Sequence, residues 1–73
     1  MQARKLTEVV DAILRYLDTH PLAVDSAEGV TKWWLPAEWC IDVPTVEAAL
    51  TRLHDQGLIR QRINPDQHVL YFR

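Results

Sequence analysis

The sequence contains few of the residues from which small proteins build covalent cross-links or phosphate-binding loops. Cys40 is the single cysteine, so no disulfide can form within the chain. Gly29 and Gly57 are the two glycines and lie far apart, which excludes a glycine-rich phosphate loop. No apolar run reaches the roughly 20 residues of a membrane-spanning helix. We therefore expect neither a disulfide framework nor a contact with a membrane. The stability of the fold is expected to come from packing.

Charge of neither sign dominates the composition. Eight Lys and Arg residues stand against ten Asp and Glu, and the net charge of −2 excludes a polycation that coats nucleic acid or acidic lipid. The shares of 48% hydrophobic and 25% charged residues are ordinary for a folded domain. Because the sequence has 73 residues, we expect one domain over residues 1–73. Because no apolar signal region follows Met1, we expect a soluble cytoplasmic protein.

Residue types that support catalysis or metal binding occur singly. His20, His54 and His68 fall on different predicted elements and lack the spacing of metal ligands. Cys40 and His54 supply a nucleophile and a base, but no third group orients them. We therefore predict no enzyme, no metal site and no cofactor. Cys40 is expected to be a small buried hydrophobic residue.

Apolar residues at helical spacing predict three helices. The first covers residues 7–19 and ends before Pro21, which disfavours helical backbone at the preceding residue. The second covers residues 26–35, with Asp25 and Ser26 as its cap and Gly29 as an internal weakness.

The third predicted helix covers residues 44–56 and begins at a proline, which is well tolerated in a first turn. Its inward stripe is Val46, Ala49, Leu50 and Leu53. Gly57 fits the left-handed position that commonly follows a helix.

A β-hairpin is predicted after the third helix, with strands over residues 58–63 and 68–73. Between them, Asn64 and Pro65 favour a turn. If Asn64 pairs with Gln67, strand alternation fixes which side chains share a face.

In that register, one face of the hairpin carries all three of its arginines around a tyrosine, namely Arg60, Arg62, Arg73 and Tyr71. Arginine, assisted by a tyrosine hydroxyl, is well suited to bind phosphate, so we predict a phosphate-binding surface here. The alternative is a solvated strand face whose arginines keep the edge of the sheet soluble.

The order helix, short helix, helix, glycine and hairpin resembles that of a winged helix-turn-helix domain. The stretch from Thr45 to Ile59 is similar to the recognition helix and wing entry of bacterial winged-helix regulators, in which a Leu-x-x-x-Gly-Leu-Ile phrase recurs, here Leu53–Ile59. The resemblance implies an α+β, mainly α fold of three helices followed by a C-terminal β-hairpin wing. Such domains have a turn of about 3–4 residues before the recognition helix. Residues 35–43 are longer than that, so the second and third helices are expected to cross at an unusual angle.

This resemblance implies a small transcriptional regulator that binds double-stranded DNA. We expect it to act as a homodimer, because one small core with few basic residues would bind DNA weakly alone. The third helix would enter the major groove and the hairpin would contact the phosphate backbone. The residues predicted for this surface are Thr45, Ala48, Thr51, Arg52, Arg60, Arg62, Tyr71 and Arg73. The charge of the helix opposes this hypothesis, because Arg52 is the only basic residue of its exposed face and is accompanied by Glu47 and Asp55.

A protein-interaction module that binds no nucleic acid is the alternative hypothesis. Trp33 and Trp34 are adjacent, and successive helical residues point about 100° apart, so one should pack inward while the other stays partly exposed, beside Trp39. Exposed tryptophan is enriched at the energetic centres of protein interfaces. The residues predicted to contact a protein partner are Trp33, Trp34 and Trp39, with the acidic face of the third helix as a second option.

Overall fold

A computed structural model describes residues 5–73, which form helices and a three-stranded antiparallel sheet. Along the chain come helix α1 (Leu6–Thr19), strand β1 (Val24–Asp25), helix α2 (Ala27–Gly29) with a π-helical turn (Val30–Trp34), a 3-10 turn (Ala37–Trp39), helix α3 (Val43–Asp55), strand β2 (Arg60–Ile63) and strand β3 (Val69–Phe72). The predicted α+β fold of three helices followed by a hairpin is confirmed, and the layout is winged-helix-like. Within residues 5–73, no helix combines the length and the apolarity needed to cross a bilayer.

Helix α1 begins where the Glu8 carboxylate accepts a hydrogen bond of 3.1 Å from the backbone N–H of Lys5. Its buried residues are Val9, Ile13 and Leu17, which recur every four positions and therefore lie on one side of the helix. The helix ends at Thr19, before His20 and Pro21.

The second helix departs from its predicted form. Ser26 caps it as expected, because its hydroxyl accepts from the N–H of Gly29 at 3.2 Å. After one α-turn the backbone widens into the π-helical turn. The Thr31 hydroxyl donates to the Ala27 carbonyl at 2.7 Å, and a bond of this kind competes with the regular backbone ladder. Position 29 favours glycine over larger residues, because the Asp25 carboxylate occupies the space that a Cβ atom there would need.

The connection to α3 packs against the core through half-buried Ile41, whereas Trp39 is half-buried beside α1. Between them, Cys40 has a left-handed backbone (φ 52°) and an exposed side chain. The prediction that Cys40 is buried is therefore wrong. The left-handed residue ends the 3-10 turn, and this position leaves its side chain in solvent.

Helix α3 agrees closely with its prediction. Its four predicted inward residues, Val46, Ala49, Leu50 and Leu53, are fully buried. Gly57 adopts a left-handed backbone (φ 74°), and the N–H of Leu58 donates to the Leu53 carbonyl at 3.0 Å, which closes the helix end. The remaining core residues come from α1, from the second helical segment with the residue that follows it, and from the residue just before β2: Val9, Ile13, Leu17, Ala27, Val30, Trp34, Leu35 and Ile59.

The strand order is β1-β3-β2, so β3 lies in the centre and β2 forms one edge of the sheet. The short extended link before the second helix becomes β1, in which Val24 pairs with Phe72 and Asp25 pairs with Tyr71. In the hairpin, the cross-strand pairs are Arg60 with Phe72, Gln61 with Tyr71, Arg62 with Leu70 and Ile63 with Val69.

The hairpin register differs by one residue from the prediction. The N–H of Asn64 donates to the His68 carbonyl at 2.8 Å, so Asn64 pairs with His68 and not with Gln67. The loop thus has three residues, and the last of them, Gln67, has a left-handed backbone (φ 70°). Three-residue loops are typically a type I turn followed by a left-handed residue, and Pro65 suits such a turn. A shift of one residue changes the face on which side chains meet across the strands.

Candidate functional site

The observed register divides the hairpin arginines between two faces of the sheet. Arg60 and Arg62 stand opposite Phe72 and Leu70, and Val24 stands on the other side of Phe72. Because cross-strand partners share a face, these side chains form one outer surface. We call it the arginine face, and its members are Val24, Arg60, Arg62, Leu70 and Phe72. The predicted grouping of all three hairpin arginines around Tyr71 is therefore wrong.

Tyr71 lies on the inner face, where it packs against the core. Burial raises the pKa of its hydroxyl, and the negative charge of Glu47 raises that pKa further. The phenol is therefore a neutral group beside α3. It does not share a face with Arg60 and Arg62. Contrary to the sequence prediction, Tyr71 therefore cannot assist these two arginines in binding a phosphate.

Arg73 also lies away from the arginine face. Its guanidinium donates to the Asp18 carboxylate at 3.0 Å and to the Leu17 carbonyl at 3.5 Å. Both acceptors belong to the last turn of α1, where the helix dipole favours a cation. The charge of Arg73 is thus already paired within the chain.

The arginine face combines apolar and cationic side chains. Arg60 and Arg62 are exposed, Val24 is 48% exposed, and Leu70 and Phe72 are half-buried. No acidic residue belongs to the face, and neither arginine forms an ion pair with an acid of residues 5–73. An antiparallel sheet with one wet face normally turns polar residues outward, so three apolar side chains here are unusual.

The tip of the hairpin carries a negative charge. The Asp66 carboxylate accepts from the backbone N–H of His68 at 3.1 Å and contacts its ring Nδ1 at 2.9 Å. These hydrogen bonds lower the pKa of Asp66. The carboxylate is therefore ionised at neutral pH and opposes the approach of a phosphate to the tip.

The outer strip of α3 offers few groups to a nucleic acid. Ala48, Thr51 and Arg52 are exposed, as the DNA hypothesis requires. Thr45 is half-buried and its hydroxyl donates to the Asp42 carboxylate. Arg52 remains the only cation among the outward residues predicted for this helix.

The three tryptophans occupy different environments. Trp34 is 5% exposed and stacks on Tyr16 with ring centroids 5.0 Å apart, whereas Trp33 is 71% exposed. The prediction that one of the pair packs inward is confirmed. Trp39 is half-buried and lines a shallow groove along α1 together with Ala12, Arg15, Tyr16, Thr19, Trp34 and Pro36. Of the predicted set, Trp33 is therefore the most available to a partner.

Sequence reasoning identified Arg60 and Arg62 but missed Val24, Leu70 and Phe72. The available signal was Pro65, which favours a type I turn and thus a three-residue loop. Counting from that loop places Leu70 and Phe72 opposite the two arginines. Nothing local indicates Val24, because its pairing with Phe72 joins residues far apart in the chain.

Among residues 5–73, no group of three His, Cys, Asp or Glu side chains is placed to hold a metal ion. No protein-family model matches the chain, and no curated protein matches it.

Proposed function

We propose that this chain is a protein-binding module and that the arginine face is its binding surface. One observation carries the proposal: three apolar side chains and two arginines share one sheet face, opposite the face through which Tyr71 packs against the core, and these arginines pair with no acid of residues 5–73. Arginine and aromatic residues are enriched in protein interfaces, where apolar atoms supply area and guanidinium groups supply directed hydrogen bonds. The complementary partner surface is apolar with carboxylates at its margin.

Charge favours a protein over a duplex as the partner. Binding to DNA needs several cations placed along the phosphates. Arg73 is paired with Asp18, the hairpin tip carries Asp66, and the net charge of the chain is −2. Arg60 and Arg62, which have no ion-pair partner within the described part of the chain and are flanked by Phe72 and Leu70, suit a small number of carboxylates better than a continuous row of phosphates.

Photo-crosslinking in an extract of the source organism tests this function. A photoreactive phenylalanine replaces Val24, which is exposed on the arginine face, and a control chain carries it at Thr7, which is exposed on α1. We expect a discrete protein adduct from position 24 that is absent from position 7. The captured protein is then purified, and an Arg60→Glu/Arg62→Glu variant should bind it about tenfold or more weakly. Adducts with nucleic acid alone, or none at position 24, would contradict the proposal.

Duplex DNA is the second candidate, and the exposed strip of α3 with Arg52 favours it. A labelled duplex is titrated against rising salt concentration, with Arg52→Ala and Arg60→Ala/Arg62→Ala as test variants and Arg73→Ala as the control. The protein-binding proposal expects no specific complex even at low salt. A DNA-binding function would replace the protein-binding proposal if the duplex bound in a salt-sensitive manner. Arg52→Ala and Arg60→Ala/Arg62→Ala should then weaken that binding, whereas Arg73→Ala should leave it unchanged. Dimerisation stays a prediction that belongs to this second candidate.

A further inference from the structure

Within residues 5–73, no strand lies beside the outer edge of β2. The sheet order places β2 beside β3 on one side only. Because Asn64 bonds to His68 and alternate residues bond on the same side, Arg62 and Arg60 turn their backbone groups toward β3. The N–H and C=O groups of Gln61 and Ile63 therefore point to the free edge. No hydrogen bond from residues 5–73 outside the ladder reaches them.

The side chains along this edge alternate in character. Arg60 and Arg62 point to the outer face, whereas Gln61 and Ile63 point to the inner face. Ile63 is 63% exposed because it lies toward the hairpin tip. A strand added at this edge would thus meet cations on one face and an exposed isoleucine on the other.

We infer that the free edge of β2 binds an extended segment of a partner protein as a fourth strand, in which acidic and apolar residues alternate. This inference rests on the proposed function and specifies the chemistry of the partner. The backbone of Gln61 and Ile63 supplies the ladder hydrogen bonds. Acidic side chains of the segment pair with Arg60 and Arg62, and its apolar side chains cover Ile63.

The same charges argue against a second copy of this chain at the edge. Antiparallel pairing of β2 with its own copy places Arg62 opposite Arg62 or opposite Arg60, depending on the register. Like charges directly opposite each other are destabilising. The two arginines therefore protect the edge against self-pairing, as charged residues commonly do, and at the same time select an acidic strand.

Peptide binding to the purified full chain tests this mode. The probes are ten-residue peptides in which Asp and Val alternate, a peptide of the same composition with the Asp and Val residues in separate blocks, and an alternating Lys–Val peptide. We expect the alternating acidic peptide to bind about tenfold more tightly than the block peptide. N-methylation of the backbone positions that face β2 should abolish this preference. Amide exchange of Gln61 and Ile63 should slow in the complex.

Charge reversal supplies the matched control. The Arg60→Glu/Arg62→Glu variant should prefer the Lys–Val peptide, whereas Arg15→Glu/Arg52→Glu, with two reversed helix arginines, should keep the wild-type preference. Circular dichroism of both variants verifies the fold.

Each other outcome overturns strand addition. Equal binding of the alternating and block peptides, or of the N-methylated one, would show charge attraction alone and would leave the photo-crosslinking result for the arginine face intact. If no acidic peptide binds, the role of Arg60 and Arg62 at this edge would be only to prevent pairing with other strands.

Discussion

Arg73 and Asp18 form an ion pair of 3.0 Å that ties the end of β3 to the last turn of α1. The same guanidinium reaches the Leu17 carbonyl, so it also satisfies a helix-terminal acceptor. These contacts join residues 55 and 56 positions apart in the sequence. The pair therefore connects the sheet to the first helix, and it explains why Arg73 is separate from the other hairpin arginines.

Replacing Arg73 by Ala is expected to lower the free energy of unfolding by about 0.5–1 kcal/mol, because both side chains are largely exposed and water screens the pair. Urea unfolding at low and high salt measures the change, which should shrink as salt rises. Asp18→Asn should give a similar loss, and Arg62→Ala serves as the control with little effect. Equal losses for Arg62→Ala and Arg73→Ala would contradict a specific role for this pair.

Gln67 is the residue on which the hairpin register depends, since its left-handed backbone creates the three-residue loop. A non-glycine residue in this region is strained, so Gln67→Gly should raise the free energy of unfolding by about 1 kcal/mol. Gln56→Gly is the matched control, because Gln56 has a right-handed backbone (φ −83°) and should gain nothing. Thermal unfolding of both variants measures the difference. A Gln67→Gly variant less stable than wild type would contradict the loop geometry.

The helices and the existence of the hairpin were predictable because apolar spacing and the residues Pro44, Gly57 and Pro65 each act locally. The register was only partly predictable: Pro65 favours the three-residue loop, but that loop also needs a positive φ at Gln67, and glutamine gives no signal for that conformation. The arginine face was predictable only in its two arginines. Its apolar members require knowledge of the loop length and of the long-range pairing between Val24 and Phe72.

Gly29 and Asp25 should be energetically coupled, because a Cβ at position 29 would overlap the Asp25 carboxylate. That carboxylate also accepts from the N–H of Ser26 at 3.1 Å, so displacing it costs a hydrogen bond. We expect Gly29→Ala to lower the free energy of unfolding by about 1 kcal/mol in the wild-type background. In an Asp25→Ala background, the same change should be stabilising, since Ala favours helix over Gly. A double-mutant cycle measures the coupling, and additive effects would contradict the overlap.

Iodide quenching should separate the two adjacent tryptophans. Trp33 is 71% exposed, whereas Trp34 is 5% exposed and covered by Tyr16. Trp33→Phe should remove most of the quenchable fluorescence, and Trp34→Phe should leave that component in place while lowering stability through lost packing. The comparison is made on the folded chain with Trp39 retained in both variants. Similar quenching curves for the two variants would show that the rings of Trp33 and Trp34 are equally exposed to solvent.

Ionisation of Tyr71 should make the protein less stable at high pH. Its pKa is raised in the folded state by burial and by Glu47, above the ordinary value of about 10. The unfolded chain therefore loses this proton first, so the stabilisation is fully present below about pH 10 and is lost as pH rises through the folded-state pKa. Tyrosinate absorbance in a Tyr16→Phe background follows this group alone, and Glu47→Gln should bring its pKa closer to the ordinary value. Urea unfolding across the same pH range should lose its steepest decline in Tyr71→Phe. If Tyr71→Phe keeps the full decline in unfolding free energy, other groups cause the loss of stability at high pH and the Tyr71 hydroxyl is in contact with water.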